Sequence, residues 1–282
     1  MTITSRTEKI GLIGHPVGHS KSPEIMNDAF QEQKLPFAYL AFDVAPENLR
    51  DAVGGLKALG FKGWNVTIPH KVAIMDLLDE LEESAREIGA VNMVINRDGI
   101  MIGTNTDGEG YIQSLRQDIQ LDPRGARVVL LGAGGAARAV GHALAAAGAS
   151  RITVVNRTEA KGQKLASHLN RLTEADWTTM DRLQEPLSTA TLLVQTTSVG
   201  MVPREEDCPI DPALLHRDLV VSDLIYHPRQ TRLLREAKIR GARIHSGLGM
   251  LVHQAALAYE RWTGEKAPVE RMYKTLSKAL EK

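Results

Sequence analysis

The chain has 282 residues, and its 34 basic side chains are balanced by 34 acidic ones, which argues against a nucleic acid or an anionic membrane as partner. Its length predicts about two domains and a core that needs no metal or disulfide, and its single cysteine, Cys208, excludes an internal disulfide. No apolar run approaches the ~20 residues that span a bilayer, and residues 1–9 lack an apolar signal region, so we expect a soluble, cytoplasmic protein.

The first third of the sequence alternates strand and helix patterns and carries two closely spaced serines. An apolar strand over 9–13 ends at Gly14-His15-Pro16, and a loop then leads into a helix predicted from Pro23 to Gln33. Ser22, directly before the proline, has two interpretations, a helix cap or a ligand contact. Capping does not explain Ser20, and two hydroxyls before a helix N-terminus suit a carboxylate.

A strand and a helix, predicted over 37–44 and 46–59, lead to residues 61–71, which leave a strand and enter a helix. The polar side chains Asn65, Thr67 and Lys71 cluster where a parallel strand ends, and open α/β sheets bind ligands there. A lysine at a helix start faces the positive end of the dipole, so a purely structural role is unfavourable. The alternative for Lys71 is an exposed surface lysine.

Further polar residues follow on neighbouring strands. Gly89-Ala90-Val91-Asn92 precedes a hairpin predicted to turn at Asp98-Gly99, and the return strand leads through Asn105 and Asp107 to a helix from about Glu109. Asp107 has an alternative role as the cap of that helix. Capping alone does not require so many polar groups at neighbouring strand ends, which carry Asn92, Asn105 and Asp107.

The stretch 127–148 has the pattern of a strand, a tight glycine turn and an Ala-rich helix. The turn reads G-x-G-G-x-A from Gly132, a variant of the dinucleotide fingerprint in which backbone N–H groups and the helix dipole face a phosphate. Gly132 permits the turn, Gly134 permits close approach of a pyrophosphate, and Ala137 keeps the helix near the strand. The alternative is a Gly-Ala turn that merely precedes a packed helix.

The next predicted strand, 151–155, ends at Asn156-Arg157-Thr158. An NAD-binding unit usually has Asp or Glu here to bind the ribose 2′-hydroxyl, whereas Arg157 and the nearby Lys161 suit a 2′-phosphate. We therefore predict NADP as the cofactor, the alternative being that both cations are solvated surface charges.

Strand and helix patterns continue to residue 246 and predict one doubly wound parallel sheet. Its later elements are predicted as strands at 191–196, 219–224 and 242–245 and a helix over 229–240. The tail forms helices, broken around 264–268, that we expect to pack on the first domain because no further sheet is available. The predicted domains are 1–108 for a substrate, 109–246 for NADP, and 247–282 returning to the first.

The chain resembles the shikimate dehydrogenase family over nearly its full length. The resemblance rests on motifs that occur in the family's order: His19-Ser20-Lys21-Ser22-Pro23, Asn65 to Lys71, Gly89 to Asn92, Asn105-Thr106-Asp107, Gly132 to Arg138, Asn156-Arg157-Thr158, Asp223 to Tyr226 and Gly247 to Gln254. It implies a two-domain α/β enzyme with its site between the domains. The implied reaction is the reversible, NADPH-dependent reduction of 3-dehydroshikimate to shikimate in aromatic amino acid and chorismate biosynthesis. The resemblance implies no metal and leaves a monomer or a homodimer open.

The resemblance also assigns residues to the ligands. Lys71 and Asp107 are implied to be the acid–base pair. The substrate would be bound at its carboxylate and at its hydroxyls by two groups of residues: Ser20, Ser22 and Tyr226, and Thr67, Asn92, Asp107 and Gln254. The cofactor would be bound by Gly132, Ala133, Gly134, Gly135, Ala136, Asn156, Arg157, Thr158, Lys161, Leu224, Gly247 and Glu83.

Two alternatives to this function remain. A quinate/shikimate dehydrogenase that prefers NAD has the same fold, but Arg157 and Ser22 argue against it. A non-catalytic regulator that binds NADP or shikimate has no need of both Lys71 and Asp107, which this chain has. The sequence departs from the family pattern, where His, Thr and Asn are usual, at Met26, Met93 and Gln195. We expect the last two to affect how the walls of the site pack.

Overall fold

The structure, a computed structural model, describes residues 3–281, which fall into two compact units. The first unit combines the chain up to Asp107 with the chain from Val252 onward, and the second is Gly108–Leu251. The outer boundaries of the predicted domains, residues 1 and 282, lie outside the described part, as does residue 2. Between residues 3 and 281, no helix is both long and apolar enough to cross a bilayer.

The strands are β1 (Glu8–Gly14), β2 (Phe37–Asp43), β3 (Gly63–Val66), β4 (Glu80–Leu81), β5 (Met93–Arg97), β6 (Ile100–Thr104), β7 (Arg127–Leu131), β8 (Arg151–Val155), β9 (Glu174–Thr178), β10 (Leu192–Gln195), β11 (Val220–Asp223) and β12 (Arg243–Ser246). The α-helices are α1 (Ser22–Glu32), α2 (Leu49–Ala58), α3 (Glu83–Ile88), α4 (Asp107–Ile119), α5 (Gly135–Ala146), α6 (Glu159–Leu169), α7 (Gln184–Thr189), α8 (Arg232–Ile239), α9 (Leu248–Thr263) and α10 (Val269–Ala279).

The sheet of the first unit is mixed and has the order β2-β1-β3-β5-β6-β4. β1 runs parallel to β2 and β3, whereas β5 is antiparallel to both β3 and β6. The hairpin between β5 and β6 turns at Asp98 and Gly99, whose φ angles of 53° and 89° are the positive values that a two-residue hairpin turn requires. The hairpin that the Asp-Gly pair predicts is therefore confirmed.

The C-terminal helices return to the first unit, as predicted. Arg271 on α10 donates from Nε and Nη2 to the two carboxylate oxygens of Asp28 on α1, at 2.6 and 2.7 Å. These hydrogen bonds lower the pKa of Asp28. On α9, Trp262 Nε1 donates to the carbonyl oxygen of Val94 in β5, at 3.1 Å, from a buried position. Contacts on both a helix and the sheet thus hold the tail in place.

The sheet of the second unit is entirely parallel, which confirms the predicted doubly wound fold. Its order is β12-β11-β10-β7-β8-β9. Buried side chains on α4, α5 and α6 cover one face, and those on α7 and α8 cover the other. The strand order reverses between β7 and β10, and doubly wound sheets bind ligands beyond the carboxyl ends of the strands at such a point.

The helix predicted to begin near Lys71 is wrong. Residues 68–72 form turns, and only a short 3₁₀ helix, Ala73–Leu77, follows. Pro69 supplies no N–H, and the buried His70 donates from Nε2 to the carbonyl oxygen of Val44 at 2.7 Å, which ties the segment to the end of β2. Lys71 therefore lies in a turn and does not face a helix dipole.

Two other differences have local causes. α8 begins at Arg232 and not at 229, because the Thr231 hydroxyl caps it by accepting from the N–H of Leu234 at 3.3 Å. β9 was not predicted, since its residues are only partly buried or exposed on this edge strand and give no continuous apolar run.

Candidate functional site

Strand directions in the first unit explain why distant polar residues meet. β5 is antiparallel to β3 and β6, so its first residue lies at the sheet edge where those two strands end. Thr67 follows β3, Asn92 precedes β5, and Asp107 lies shortly after β6. The N–H of Val66 donates to the carbonyl oxygen of Asn92 at 2.8 Å, which fixes the two strand ends side by side.

The closest polar contact at this edge joins Lys71 and Asp107. Lys71 Nζ donates to Asp107 Oδ2 at 2.5 Å, and the two side chains are 14% and 6% exposed. Asn92 Nδ2 donates to the other carboxylate oxygen, Oδ1, at 2.8 Å. Between residues 3 and 281, the bond to Asp107 is the single hydrogen bond of the Lys71 ammonium, so two of its three N–H groups are available to a ligand.

Asn92 connects these residues to Thr106 and Gln254. Asn92 Nδ2 lies 3.0 Å from Thr106 Oγ1 and 3.5 Å from Gln254 Oε1, and its Oδ1 accepts from the N–H of Thr106 at 2.8 Å. Thr106 Oγ1 donates in turn to the carbonyl oxygen of Gln254 on α9, at 3.2 Å. We call Lys71, Asn92, Thr106, Asp107 and Gln254 the Lys71 cluster. Its members other than Lys71 are buried.

Thr67 lies at the same edge and is partly exposed. Its N–H donates to the carbonyl oxygen of Ile13 at 2.9 Å. β1 passes so close to Thr67 that a Cβ on Gly14, the last residue of β1, would collide with Thr67 Cγ2. Glycine at position 14 therefore allows Thr67 its place beside the end of β1.

The two serines lie together at the start of α1. The Ser20 hydroxyl donates to Ser22 Oγ and accepts from the N–H of Ser22, the first residue of α1, both at 3.3 Å, whereas the N-cap residue Lys21 makes no side-chain cap. The capping interpretation of Ser22 is therefore wrong. The buried Tyr39 hydroxyl donates to Asn65 Oδ1 at 2.7 Å, and burial raises the pKa of Tyr39.

The second unit carries the glycine turn between β7 and α5. Gly132 has φ = +110°, and a Cβ there would lie 2.6 Å from Thr196 Oγ1, so the position requires glycine on both counts. Gly134 is the N-cap of α5, and no acidic residue occupies the first turn. The turn also contains Ala133, Gly135 and Ala136. Its helix N-terminus thus has the features of an anion site.

The segment after β8 lies at the same edge, because β7 and β8 are parallel neighbours. Asn156 Nδ2 donates to the carbonyl oxygen of Thr158 at 2.7 Å, which shapes the loop before α6. Arg157 and Lys161 are exposed, and in the described chain neither forms an ion pair.

Leu224 and Gly247 lie against each other in the second unit, where a Cβ on Gly247 would collide with the carbonyl group of Leu224. The preceding Asp223 is buried and accepts from the Thr231 hydroxyl at 2.7 Å and from the N–H of Ile225 at 3.1 Å. Burial raises the pKa of Asp223 to about 7. These bonds fix the backbone on both sides of Leu224.

The predicted substrate residues lie in the first unit and the predicted cofactor residues lie in the second, with two exceptions. Tyr226, assigned to the substrate, lies in the second unit, whereas the other predicted substrate residues lie in the first. Glu83, assigned to the cofactor, is an exposed residue at the start of α3 in the first unit. Sequence reasoning assigned no role to Tyr39 or Thr106. Thr106 had a signal, since it stands next to Asn105 and Asp107, but Tyr39 has the pattern of an ordinary core aromatic.

Comparison with known proteins covers both units. Family models match residues 12–94 (shikimate dehydrogenase substrate binding domain), 114–208 (shikimate/quinate 5-dehydrogenase) and 247–276 (shikimate 5′-dehydrogenase C-terminal domain). A shikimate dehydrogenase (NADP(+)) of Methanopyrus kandleri is 50% identical over 277 residues, 96% of each chain. A crystal structure of a shikimate dehydrogenase in complex with NADP⁺ is 41% identical, with a TM-score of 0.93 and coverage of 100% of this chain and 98% of that one. The quinate dehydrogenase of Corynebacterium glutamicum, solved with NAD, is 30% identical, with a TM-score of 0.88 and coverage of 96% and 99%.

The fold and the two groups of residues define a two-unit α/β oxidoreductase with a dinucleotide-binding sheet. Identity at this level extends over nearly the whole chain and includes both units. The chain belongs to the shikimate dehydrogenase family, whose members are enzymes of aromatic biosynthesis.

Proposed function

We propose that this protein catalyses the reversible reduction of 3-dehydroshikimate to shikimate with NADPH. The observation that carries the proposal is the Lys71–Asp107 pair, an ammonium held by a buried carboxylate with N–H groups left for a substrate oxygen. The relatives named shikimate dehydrogenase (NADP(+)) support the substrate and the cofactor.

Lys71 is the proton donor in this proposal. When bound, NADPH supplies the hydride that reduces the carbonyl carbon. Lys71 Nζ stabilises the negative charge that develops on the substrate oxygen and transfers a proton to it, forming the hydroxyl. Asp107 orients the amine throughout, and Asn92 holds Asp107 from its other side. The neutral amine then regains a proton from solvent, and oxidation of shikimate runs through the same transfers in reverse.

The other polar residues position the substrate. Ser20 and Ser22 bind its carboxylate, together with Tyr226, because hydroxyl groups donate well to a carboxylate. The ring hydroxyls are bound by the residues at the edge of the first sheet, Thr67, Asn92, Asp107 and Gln254. The buried hydrogen bonds of Asn92 and Thr106 support this role, since they hold the acceptors and donors in one arrangement.

The second unit fits a dinucleotide phosphate and a 2′-phosphate. The turn Gly132–Ala136 brings backbone N–H groups and a helix N-terminus free of acids to one place. Asn156, Arg157, Thr158 and Lys161 form the neighbouring segment, where two exposed cations suit the 2′-phosphate of NADP. Leu224 and Gly247 are proposed to line the same cofactor, and Glu83 is proposed as a further cofactor contact.

The serines provide a test of the carboxylate site. Ser20→Ala and Ser22→Ala should each raise the KM for shikimate by about tenfold to a hundredfold, since a hydrogen bond to a charged group is worth about 1.5–3 kcal/mol. The KM for NADP⁺ should stay within twofold. Steady-state kinetics are to be measured beside melting curves. A loss of thermal stability with an unchanged KM would show that the serines only shape the loop.

Arg157 provides a test of cofactor choice. Arg157→Ala should raise the KM for NADP⁺ by about tenfold to a hundredfold and leave that for NAD⁺ nearly unchanged, because a charge-assisted phosphate contact is worth about 1.5–3 kcal/mol. Lys161→Ala should act in the same direction and less strongly. The matched control is Arg243→Ala, which removes an exposed arginine at the start of β12 in the same sheet. Equal losses for the two cofactors would exclude the 2′-phosphate role.

The reaction itself is tested by initial rates with shikimate and quinate, each combined with NADP⁺ and NAD⁺. The proposal expects the highest kcat/KM for shikimate with NADP⁺. A preference for quinate with NAD⁺ would support the activity named for the Corynebacterium glutamicum protein. Ligand binding without turnover in any combination would support a regulator.

A further inference from the structure

Arg138 is a partly buried cation without a partner in the described chain. It is the fourth residue of α5, and no hydrogen bond or ion pair joins its guanidinium to another residue between 3 and 281. Burial lowers the pKa of Arg138, which reflects the cost of keeping this charge away from water. Buried charges in proteins are normally paired, so the position suits an anion that the protein binds.

The contact between α5 and α6 indicates where Arg138 points. β7 and β8 are parallel neighbours, so the helices that follow them run in the same direction. The rings of His142 on α5 and His168 on α6 have centroids 6.0 Å apart, so these two helix faces meet. Arg138 lies four residues before His142 and therefore on the same face, about one turn nearer the N-terminus.

One turn towards the N-terminus of α6 from His168 is Lys164, and two turns from it is Lys161. Side chains on a helix lean towards its N-terminus, so the long Arg138 side chain extends towards the first turn of α6 and the loop before it. That loop carries Arg157, and α6 packs against it closely, since a Cβ on Gly162 would lie 3.4 Å from Asn156 Cβ. The helical register thus directs Arg138 to the region of Arg157 and Lys161.

The charge of this region is strongly positive. α5 contains no acidic residue, and the single acid in α6, Glu159, accepts from Gln163 at 3.2 Å. The cations Arg138, Arg157, Lys161 and Lys164 on these two helices and the loop between β8 and α6 therefore outnumber the single acid, which is already hydrogen-bonded. A doubly charged phosphate fits this arrangement, and the planar guanidinium of Arg138 suits two of its oxygens at once.

We propose that Arg138 contacts the 2′-phosphate of NADP together with Arg157 and is a determinant of the preference for NADP over NAD. The inference rests on the proposed function, because it requires NADP to be the cofactor. It adds a residue from α5, the helix after the glycine turn, to a phosphate site for which the sequence indicates only Arg157 and Lys161.

Calorimetric binding of two cofactor fragments tests this without turnover. Adenosine 2′,5′-bisphosphate carries the 2′-phosphate and 5′-AMP does not. Arg138→Gln should weaken the bisphosphate at least tenfold and change 5′-AMP less than twofold. Arg138→Lys should have an intermediate effect, because it keeps the charge but not the fork. The control Arg243→Gln removes an exposed cation at the start of β12, at the other end of the sheet, and should change neither affinity.

Shared contact with one phosphate also predicts non-additivity. The double variant Arg138→Gln/Arg157→Gln should lose less affinity for the bisphosphate than the product of the two single losses. If Arg138→Gln weakens both fragments equally, or weakens neither, the inference is overturned. The proposed function still stands in that case, provided that the wild-type protein prefers the bisphosphate. A wild-type protein that binds both fragments equally would overturn both. Melting temperatures of all variants identify any loss of folding. If Arg138→Gln does not fold, the affinities of Arg138→Lys decide the test.

Discussion

Replacing Lys71 with alanine is expected to lower kcat by about 10²–10⁴, the usual contribution of a positioned general acid. The affinity for shikimate should fall much less, because the ammonium contact counts most when charge develops on the substrate oxygen. The structure supports this, since Lys71 Nζ is held by Asp107 at 2.5 Å in a site where both side chains are largely buried. Measurement requires kcat at saturating shikimate and a direct titration of shikimate binding.

Two further variants sharpen this test. Lys71→Arg should not restore the rate, because a guanidinium keeps the charge but does not readily release a proton. Lys62→Ala, which removes an exposed lysine directly before β3, should leave kcat unchanged. If Lys71 serves only ground-state binding, Lys71→Ala will raise the Kd for shikimate strongly and turn over normally once saturated. That outcome would end the assignment of Lys71 as proton donor.

Asp107→Asn should also lower kcat by about 10²–10³, because the amide no longer holds the Lys71 ammonium by charge. It should lower the free energy of unfolding by about 1–3 kcal/mol, since removing one member of a mostly buried pair leaves the other charge poorly compensated. Kinetics and chemical denaturation measure the two effects. Asp98→Asn is the matched control, as it lies in the exposed hairpin turn, and asparagine tolerates the positive φ there.

The double variant separates a joint role from two independent ones. If Lys71 and Asp107 act as one unit, Lys71→Ala/Asp107→Asn should be no slower than Lys71→Ala alone. Multiplied losses would contradict the pairing and require a separate function for Asp107.

The fold was largely predictable because its signals are local. Apolar runs that end at glycine turns predict buried parallel strands, and the second sheet has that form. The Asp-Gly hairpin was predictable for the same reason. β9 was not, since an edge strand need not be apolar, and neither was the turn at Lys71, where the burial of His70 depends on Val44, far away in sequence.

The site was predictable to the extent that it consists of polar residues after strands. Asn92 and Asp107 were found in this way, and the structure joins them at 2.8 Å. The resemblance to the family, and not periodicity, selected Gln254, because one glutamine within a long helix carries no signal of its own. The sequence did not indicate Tyr39 or Arg138, because their surroundings are set by residues distant in the chain. Tyr39 donates to Asn65, and the face of α5 that carries Arg138 meets α6.

The first unit contains both early and late parts of the chain, and this has a consequence for biosynthesis. The ribosome makes the whole second unit before it makes the segment from Val252, so the dinucleotide-binding sheet is available for folding while the first unit still lacks α10 and most of α9. Gln254 and the anchors Trp262 and Arg271 are made after the second unit. A nascent chain that stops before them has a complete parallel sheet but an unfinished Lys71 cluster, so the proposed substrate site is completed only after the segment from Val252 has been made.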